Sequence, residues 1–187
     1  MSNVQKQKPS RACTKTYSSY RSFRSYLADD FNHRCGYCDD PDIHYGQTIS
    51  YHIDHFKPKS KFPDLETNYS NLVYSCPYCN GAKSDKWQEV DGFIDPCDNE
   101  YDKHLERTDK GKITCVTQRG QYIVENLRLY LKRHELIWSL AILEWQKQQL
   151  NQINTIDSNE LMVLRKFKEI QEQIDKYNNI LKDGSDG

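Results

Sequence analysis

Tyr51-His-Ile-Asp-His-Phe-Lys-Pro-Lys-Ser60, followed by Asn71-Leu-Val-Tyr-Ser-Cys-Pro-Tyr-Cys-Asn-Gly-Ala-Lys83, is the stretch on which the reading of this chain turns. Residues 47–56 are rich in β-branched and aromatic side chains and read as a strand. Pro58 and Pro63 then force a loop. Residues 71–75 read as a second short extended piece, and a short helix is expected from about Asn80 to Trp87. The pattern is strand, loop, strand, helix, with an Asp-His pair at the end of the first strand and an asparagine opening the helix.

That arrangement has the donors for phosphodiester hydrolysis, which needs an activated water, neutralised phosphate charge and a stabilised leaving oxygen. Hard divalent cations prefer oxygen ligands, and Asp54 offers a carboxylate and Asn80 an amide oxygen. A histidine with its ordinary pKa of about 6.5 takes a proton from water near neutral pH, which suits His55. Neighbouring side chains of a strand point to opposite faces. Aiming Asp54 and His55 at one pocket therefore requires the backbone to twist as it enters the Phe56-Lys57-Pro58 turn. His52 shares the strand face of Asp54 and reads either as a ligand or orienting group, or as a histidine packed near the cysteines. A strand-end Asp-His pair on its own reads as a turn cap. The company of Asn71, Asn80, Lys83 and four spaced cysteines favours the catalytic reading.

The cysteines fall as Cys35-x-x-Cys38 and Cys76-x-x-Cys79. Two such pairs are the knuckles of a four-thiolate zinc site. The 37 residues between them exceed a short ribbon, so another element is inserted there. Unrelated buried thiols are the plainer alternative. Cys13, Cys97 and Cys115 have no partner at ligand spacing and read as packing residues. Seven cysteines, an odd number, and an N-terminus without an apolar segment suit a reducing, cytoplasmic setting.

Composition narrows the class further. Hydrophobic residues are 36% and charged residues 28%, and no apolar run is long enough to span a bilayer. A net charge of −1 argues against indiscriminate nucleic-acid binding by the whole surface. Charge is segregated, however: residues 1–26 carry six basic side chains and no acidic one. Residues 1–15 read as a flexible basic arm. Tyr20, Phe23, Leu27 and Phe31 lie at helical spacing over 17–33, with Arg21 and Arg24 off the stripe. That helix either shows a basic face or simply packs on a core. Residues 88–120 read as loop-rich, with short strand pieces at 112–117. Leu127, Leu131, His134, Trp138, Ala141 and Trp145 predict a long helix from Ile123 to about Leu150. After a break near Asn154 to Asn159, Val163, Phe167, Ile170, Ile174, Tyr177 and Leu181 alternate by four and three, a coiled-coil-like seam over 159–182. An antiparallel helical hairpin explains the pair, with a partner-binding surface as the alternative.

Residues Cys35-Gly-Tyr-Cys38, Ile53-Asp-His-Phe-Lys-Pro-Lys-Ser60, Asn71-Leu-Val73 and Cys76-Pro-Tyr-Cys-Asn-Gly-Ala-Lys83 resemble the HNH, or ββα-metal, endonucleases of the zinc-stapled subgroup. The resemblance covers about a quarter of the chain. It implies that Asp54 and Asn80 hold the catalytic cation, that His55 is the general base and that Asn71 braces the loop between the strands. Many members carry His where this chain has Asn80, and the asparagine shifts the expected ion to Mg²⁺ or Mn²⁺. Lys83 either faces the scissile phosphate or is a solvated helix lysine. More weakly, Phe93-Ile-Asp-Pro96, His104-Leu105, Asp109-Lys-Gly-Lys-Ile113 and Asn126-Leu-Arg-Leu129 resemble the HNH nuclease subunits of Septu-type and retron-associated antiphage systems, which implies an ABC-type ATPase partner.

The expected fold is therefore α+β. A basic arm and helix (1–34) precede a ββα-metal core with a structural four-cysteine zinc (35–95), and a connector with a C-terminal helical region follows (96–187). The expected activity is metal-dependent cleavage of DNA, leaving a 5′-phosphate as the resemblance implies. A non-catalytic zinc-ribbon adaptor for nucleic acid or protein and an RNA-cutting toxin are the alternatives. The adaptor has no need of a carboxylate beside phosphate, which would repel its ligand unless a cation intervened.

Overall fold

A computed structural model describes residues 2–152 and 160–184 of the chain. It is mixed α+β and divides into two compact units, Met1–Tyr130 and Leu131–Gly187. The break expected at Asn154 to Asn159 lies outside the described residues, as do residues 185–187 of the terminal stretch.

In the first unit, β1 (His52–His55) and β2 (Leu72–Ser75) pair antiparallel, with Asp54 opposite Val73 and His55 opposite Leu72. α2 (Pro77–Lys83) follows β2 after one residue. The order strand, loop, strand, helix agrees with the sequence reading, but two boundaries move. β1 is shorter than the expected 47–56. Gly46 (φ 87°) and Gln47 (φ 62°) are left-handed and turn the chain into a 3₁₀ segment, Gln47–Ile49, whose Ile49 is 91% exposed. With Ile49 out in solvent, the β-branched residues there do not extend the sheet. α2 starts three residues before Asn80, because Pro77 suits the first helical turn and the Cys76 sulfur accepts the Cys79 N–H. It stops at Lys83, where Ser84 turns left-handed (φ 49°). Asn80 thus sits inside the helix, one turn before Lys83.

The N-terminal stripe forms a 3₁₀ turn, Tyr20–Phe23, leading into α1 (Arg24–Asp30). Phe23, Leu27 and Phe31 are buried as the period predicts. Left-handed Asn32 and His33 then aim the chain at the first cysteine pair. Gly36 is required there: a Cβ on it would lie 2.7 Å from the Phe31 ring. Arg21 is exposed, whereas Arg24 donates to the carbonyls of Thr48 and Tyr51 and fixes the approach to β1.

The basic arm is not free, contrary to expectation. Val4 is fully buried and Gln5 nearly so. Ser2 and Arg107 exchange both backbone hydrogen bonds, at 3.0 and 2.8 Å. Arg11 donates to the Leu72 carbonyl and pairs with Asp95 at 2.9 Å. Long-range partners, invisible to local pattern, hold the arm down. β3 (Leu105–Arg107) and β4 (Ile113–Cys115) form a second two-stranded sheet. The strand piece expected within 112–117 is therefore present. One core runs through this unit, from Val4 and Leu27 through Leu72 and Tyr101 to Ile113 and Ile123. Cys13 and Cys97 pack against it, while Cys115 is exposed.

The helix expected from Ile123 is two helices, α3 (Gln118–Asn126) and α4 (Lys132–Asn151). Arg128 lies between them in the left-handed region (φ 54°), which a continuous helix does not admit. α5 spans Glu160–Asp183. In the second unit α4 and α5 pack on each other through Leu140, Ile170 and Ile174, with Leu143, Tyr177 and Leu181 alongside. The seam of α5 is as the spacing predicts. Trp145, read as part of the α4 stripe, is 59% exposed instead. No described helix is long and apolar enough to cross a membrane.

Candidate active site

The four knuckle cysteines are fully buried, and their sulfurs all lie within 4.8 Å of one another. The Cys38 and Cys76 sulfurs are 3.8 Å apart. Tetrahedral zinc with Zn–S bonds of about 2.3 Å would separate its sulfurs by about 3.8 Å. Burial pushes the Cys38, Cys76 and Cys79 thiols above their ordinary range; burial opposes ionisation at Cys35 too, but hydrogen bonds from the other three sulfurs bring it down. Four thiolates in a dry pocket need a cation, and this donor set fits zinc.

Next to the knuckles, Asp54, His55, Asn80 and His52 all line one cleft of about 410 Å³. The conflict between strand alternation and a shared pocket is resolved at the end of β1, where His55 is the last strand residue. Asn71 holds the turn that follows. Its Oδ1 accepts from Lys57 N at 2.8 Å, and its Nδ2 donates to the carbonyls of Lys57 and Leu65 at 3.0 and 3.3 Å. Asn71 is buried. Asn71→Ala is expected to leave the Lys57 N–H and nearby carbonyls unpaired and to lower stability by on the order of 1–3 kcal/mol, read as a shifted denaturant midpoint.

His55 Nε2 donates to the Glu66 carbonyl at 2.9 Å, which leaves Nδ1 as the basic nitrogen of the ring. Tyr20 meets the imidazole edge-on, with ring centres 4.8 Å apart, and also lines the cleft. Lys59 lies over Tyr20 at 5.1 Å and pairs with Glu66 at 3.1 Å. His52 is exposed, and Asn80 Nδ2 donates to its Nδ1 at 3.1 Å. It is therefore a neighbour of Asn80 rather than a packing residue of the knuckles. The same bond engages the Asn80 amide nitrogen and not its Oδ1.

Lys83 departs from both readings of the sequence. It is fully buried, neither solvated nor open to a phosphate. Its ammonium lies 3.0 Å from Asp54 Oδ2 and donates to the His55 carbonyl at 2.7 Å. A buried cation of this kind persists because the carboxylate beside it compensates its charge. Burial pushes the Asp54 carboxyl above the usual range, against the pull of the Lys83 ammonium and of the Tyr37 hydroxyl, which donates to Oδ2 at 2.5 Å. Oδ2 already meets both the Tyr37 hydroxyl and the Lys83 ammonium, whereas Oδ1 keeps a lone pair beyond its Lys83 bond, so an Asp54 oxygen and the Asn80 amide oxygen fit a hard divalent ion.

Tyr37 and Lys59 lie inside the stretches that carry the resemblance but take no role from it, and Glu66 carries no signal in the sequence. Tyr20, on the helical stripe, stands out there only as a core residue.

The HNH endonuclease family model matches residues 35–86, the stretch that holds the two-stranded antiparallel sheet, the helix α2 and the four clustered cysteines. The chain is also similar to two proteins named Septu protein PtuB. One, from Bacillus thuringiensis, is 31% identical over 82 residues, covering 42% of this chain and 30% of the relative. The other, from Bacillus mycoides (strain KBAB4), is 24% identical over 192 residues, covering 83% of this chain and 63% of the relative. The chain thus spans less than two thirds of the length of either relative.

Proposed function

We propose that this chain is a divalent-metal-dependent endonuclease that hydrolyses DNA, acting as the nuclease of a bacterial antiphage system. The observation that carries this reading is the meeting of Asp54, His55 and Asn80 in one cleft, with the tautomer of His55 set by the Glu66 carbonyl. In this reading His55 Nδ1 takes the proton of the attacking water. Asp54 and Asn80 supply the oxygens that hold a Mg²⁺ or Mn²⁺ ion. When bound, such an ion neutralises phosphate charge and stabilises the leaving oxygen. Tyr20 and Glu66 hold the imidazole in place while its charge changes. Lys59 lines the cleft, paired with Glu66 yet half-exposed, and is the cation placed to meet a phosphate backbone, with Lys57 two residues before it lying over Phe62 and Trp87 at 5.3 and 5.4 Å.

Similarity to the Septu proteins and the α4–α5 unit favour a partner subunit, of the ABC-type ATPase class, bound through the C-terminal helices. His52 orients Asn80 in this scheme, and Lys83 holds Asp54 rather than the phosphate. The adaptor alternative is disfavoured because an adaptor has no use for a buried carboxylate lining its ligand cleft.

The test is cleavage of supercoiled plasmid, and of single-stranded RNA, by the zinc-loaded chain with Mg²⁺ or Mn²⁺, alone and with the candidate ATPase. Plasmid nicking that needs the divalent ion and is lost in Asp54→Asn is the expected result. Cleavage of RNA alone would move the substrate class. Cleavage of plasmid unaffected by Asp54→Asn would overturn the site.

A further inference from the structure

Tyr37 lies inside the first zinc knuckle, between Cys35 and Cys38, and belongs to no ligand set. It is fully buried. Its hydroxyl donates to Asp54 Oδ2 at 2.5 Å, on the carboxylate whose Oδ2 and Oδ1 the Lys83 ammonium meets at 3.0 and 3.2 Å. The knuckle that carries Tyr37 is held in turn. Three consecutive carbonyls, those of Gly36, Tyr37 and Cys38, each accept a hydrogen bond from a buried side chain distant in sequence. Gln5 Nε2 donates to Gly36 O at 2.8 Å, Tyr101 OH to Tyr37 O at 2.7 Å and Arg107 to Cys38 O at 2.7 Å. All three donors lie outside residues 35–86, and Gln5 and Arg107 are on the two segments that Ser2 and Arg107 pair together.

We propose that Tyr37 is a positioning residue for the metal-holding carboxylate, and that Gln5, Tyr101 and Arg107 set its place by fixing the knuckle backbone. The inference rests on Asp54 being a cation ligand, as proposed above. Its physical basis is directional. A carboxylate with one short hydroxyl bond and an ammonium against both of its oxygens has little rotational freedom, so the lone pair left on Oδ1 keeps a fixed direction. A phenol is suited to this task. It is long enough to span from the knuckle to β1, it is rigid, and its hydroxyl is a donor that reaches a carboxylate oxygen. The zinc knuckle thereby serves two purposes: it staples α2 to the first strand pair, and it carries the donor that orients Asp54.

The experiment is Mn²⁺ binding to the zinc-loaded full chain without nucleic acid, followed by electron paramagnetic resonance, for wild type, Tyr37→Phe and Asp54→Asn. Tyr37→Phe keeps the ring and removes only the hydroxyl. Loss of a group that orients a metal ligand weakens affinity about 10- to 100-fold, and that weakening, with zinc content unchanged, is expected for Tyr37→Phe. Wild-type affinity in Tyr37→Phe, with binding lost in Asp54→Asn, overturns this inference and leaves the proposed site standing. Wild-type affinity in Asp54→Asn overturns both. If Tyr37→Phe loses zinc, Tyr101→Phe takes its place, since it frees the Tyr37 carbonyl and leaves the hydroxyl. Weakening of about 10-fold is then expected, and unchanged affinity overturns the inference.

Discussion

Replacing His55 with alanine is expected to lower divalent-dependent strand cleavage by about 100- to 10,000-fold, the usual contribution of a positioned general base. The zinc content and the thermal midpoint should stay close to those of the wild type. His55 is at the end of β1, and its ring makes one hydrogen bond, to the Glu66 carbonyl, and one aromatic contact, to Tyr20. Removing them costs local order around the turn, whereas removing the base costs the proton transfer itself. The measurement is initial rates on supercoiled plasmid at saturating Mn²⁺, with zinc quantified by mass spectrometry on the same samples. A variant that retains zinc and cuts at the wild-type rate would show that the base lies elsewhere in the cleft.

The second large effect concerns the knuckles. Cys79→Ser, or a strong chelator applied to the wild type, is expected to unfold the first unit rather than merely slow it. Structural zinc contributes on the order of 10–16 kcal/mol in small metal-stapled domains. The whole stability of an ordinary domain is about 5–15 kcal/mol. The location of Cys79 makes the loss general. It lies one residue before Asn80 in α2, and Cys76 caps the same helix through its sulfur. Circular dichroism and tyrosine fluorescence should change together as zinc leaves. A zinc-free variant that keeps a cooperative melting transition near that of wild type would refute this account.

The parts of this structure that sequence made legible are those set by short spacings. The Cys-x-x-Cys pairs, the Asp-His step and the Asn71 brace lie within a few residues of the strand and helix ends they define. The structure brings them together as the pattern predicts. What was not legible depends on contacts between distant residues. Val4, a lone apolar residue in a polar arm, has no period to betray its burial, and only the core beneath it explains it. Lys83 reads either as facing a phosphate or as solvated, until Asp54 is placed 3.0 Å away. Tyr37 looks like spacer between two cysteines, and its importance depends on where β1 passes. The α3–α4 break rests on one backbone angle at Arg128, which a sum of helical preferences does not detect. Strand and helix limits shifted for the same reason: Gly46 and Pro77 redirect the chain more strongly than the propensities of their neighbours.

The hold on the knuckle carbonyls has a consequence for anyone who would treat residues 35–86 as a portable part. Residues 35–86 look like a cassette when matched by family, yet their backbone leans on Gln5, Tyr101 and Arg107, and their core is completed by Val4, Leu105 and Ile113. Cut at the edges of the match, the cassette would expose three buried carbonyls and a slice of apolar interior. The unit to graft, truncate or exchange between relatives is therefore the stretch from Ser2 to Tyr130, within which the flanking segments are masonry around the cutting edge.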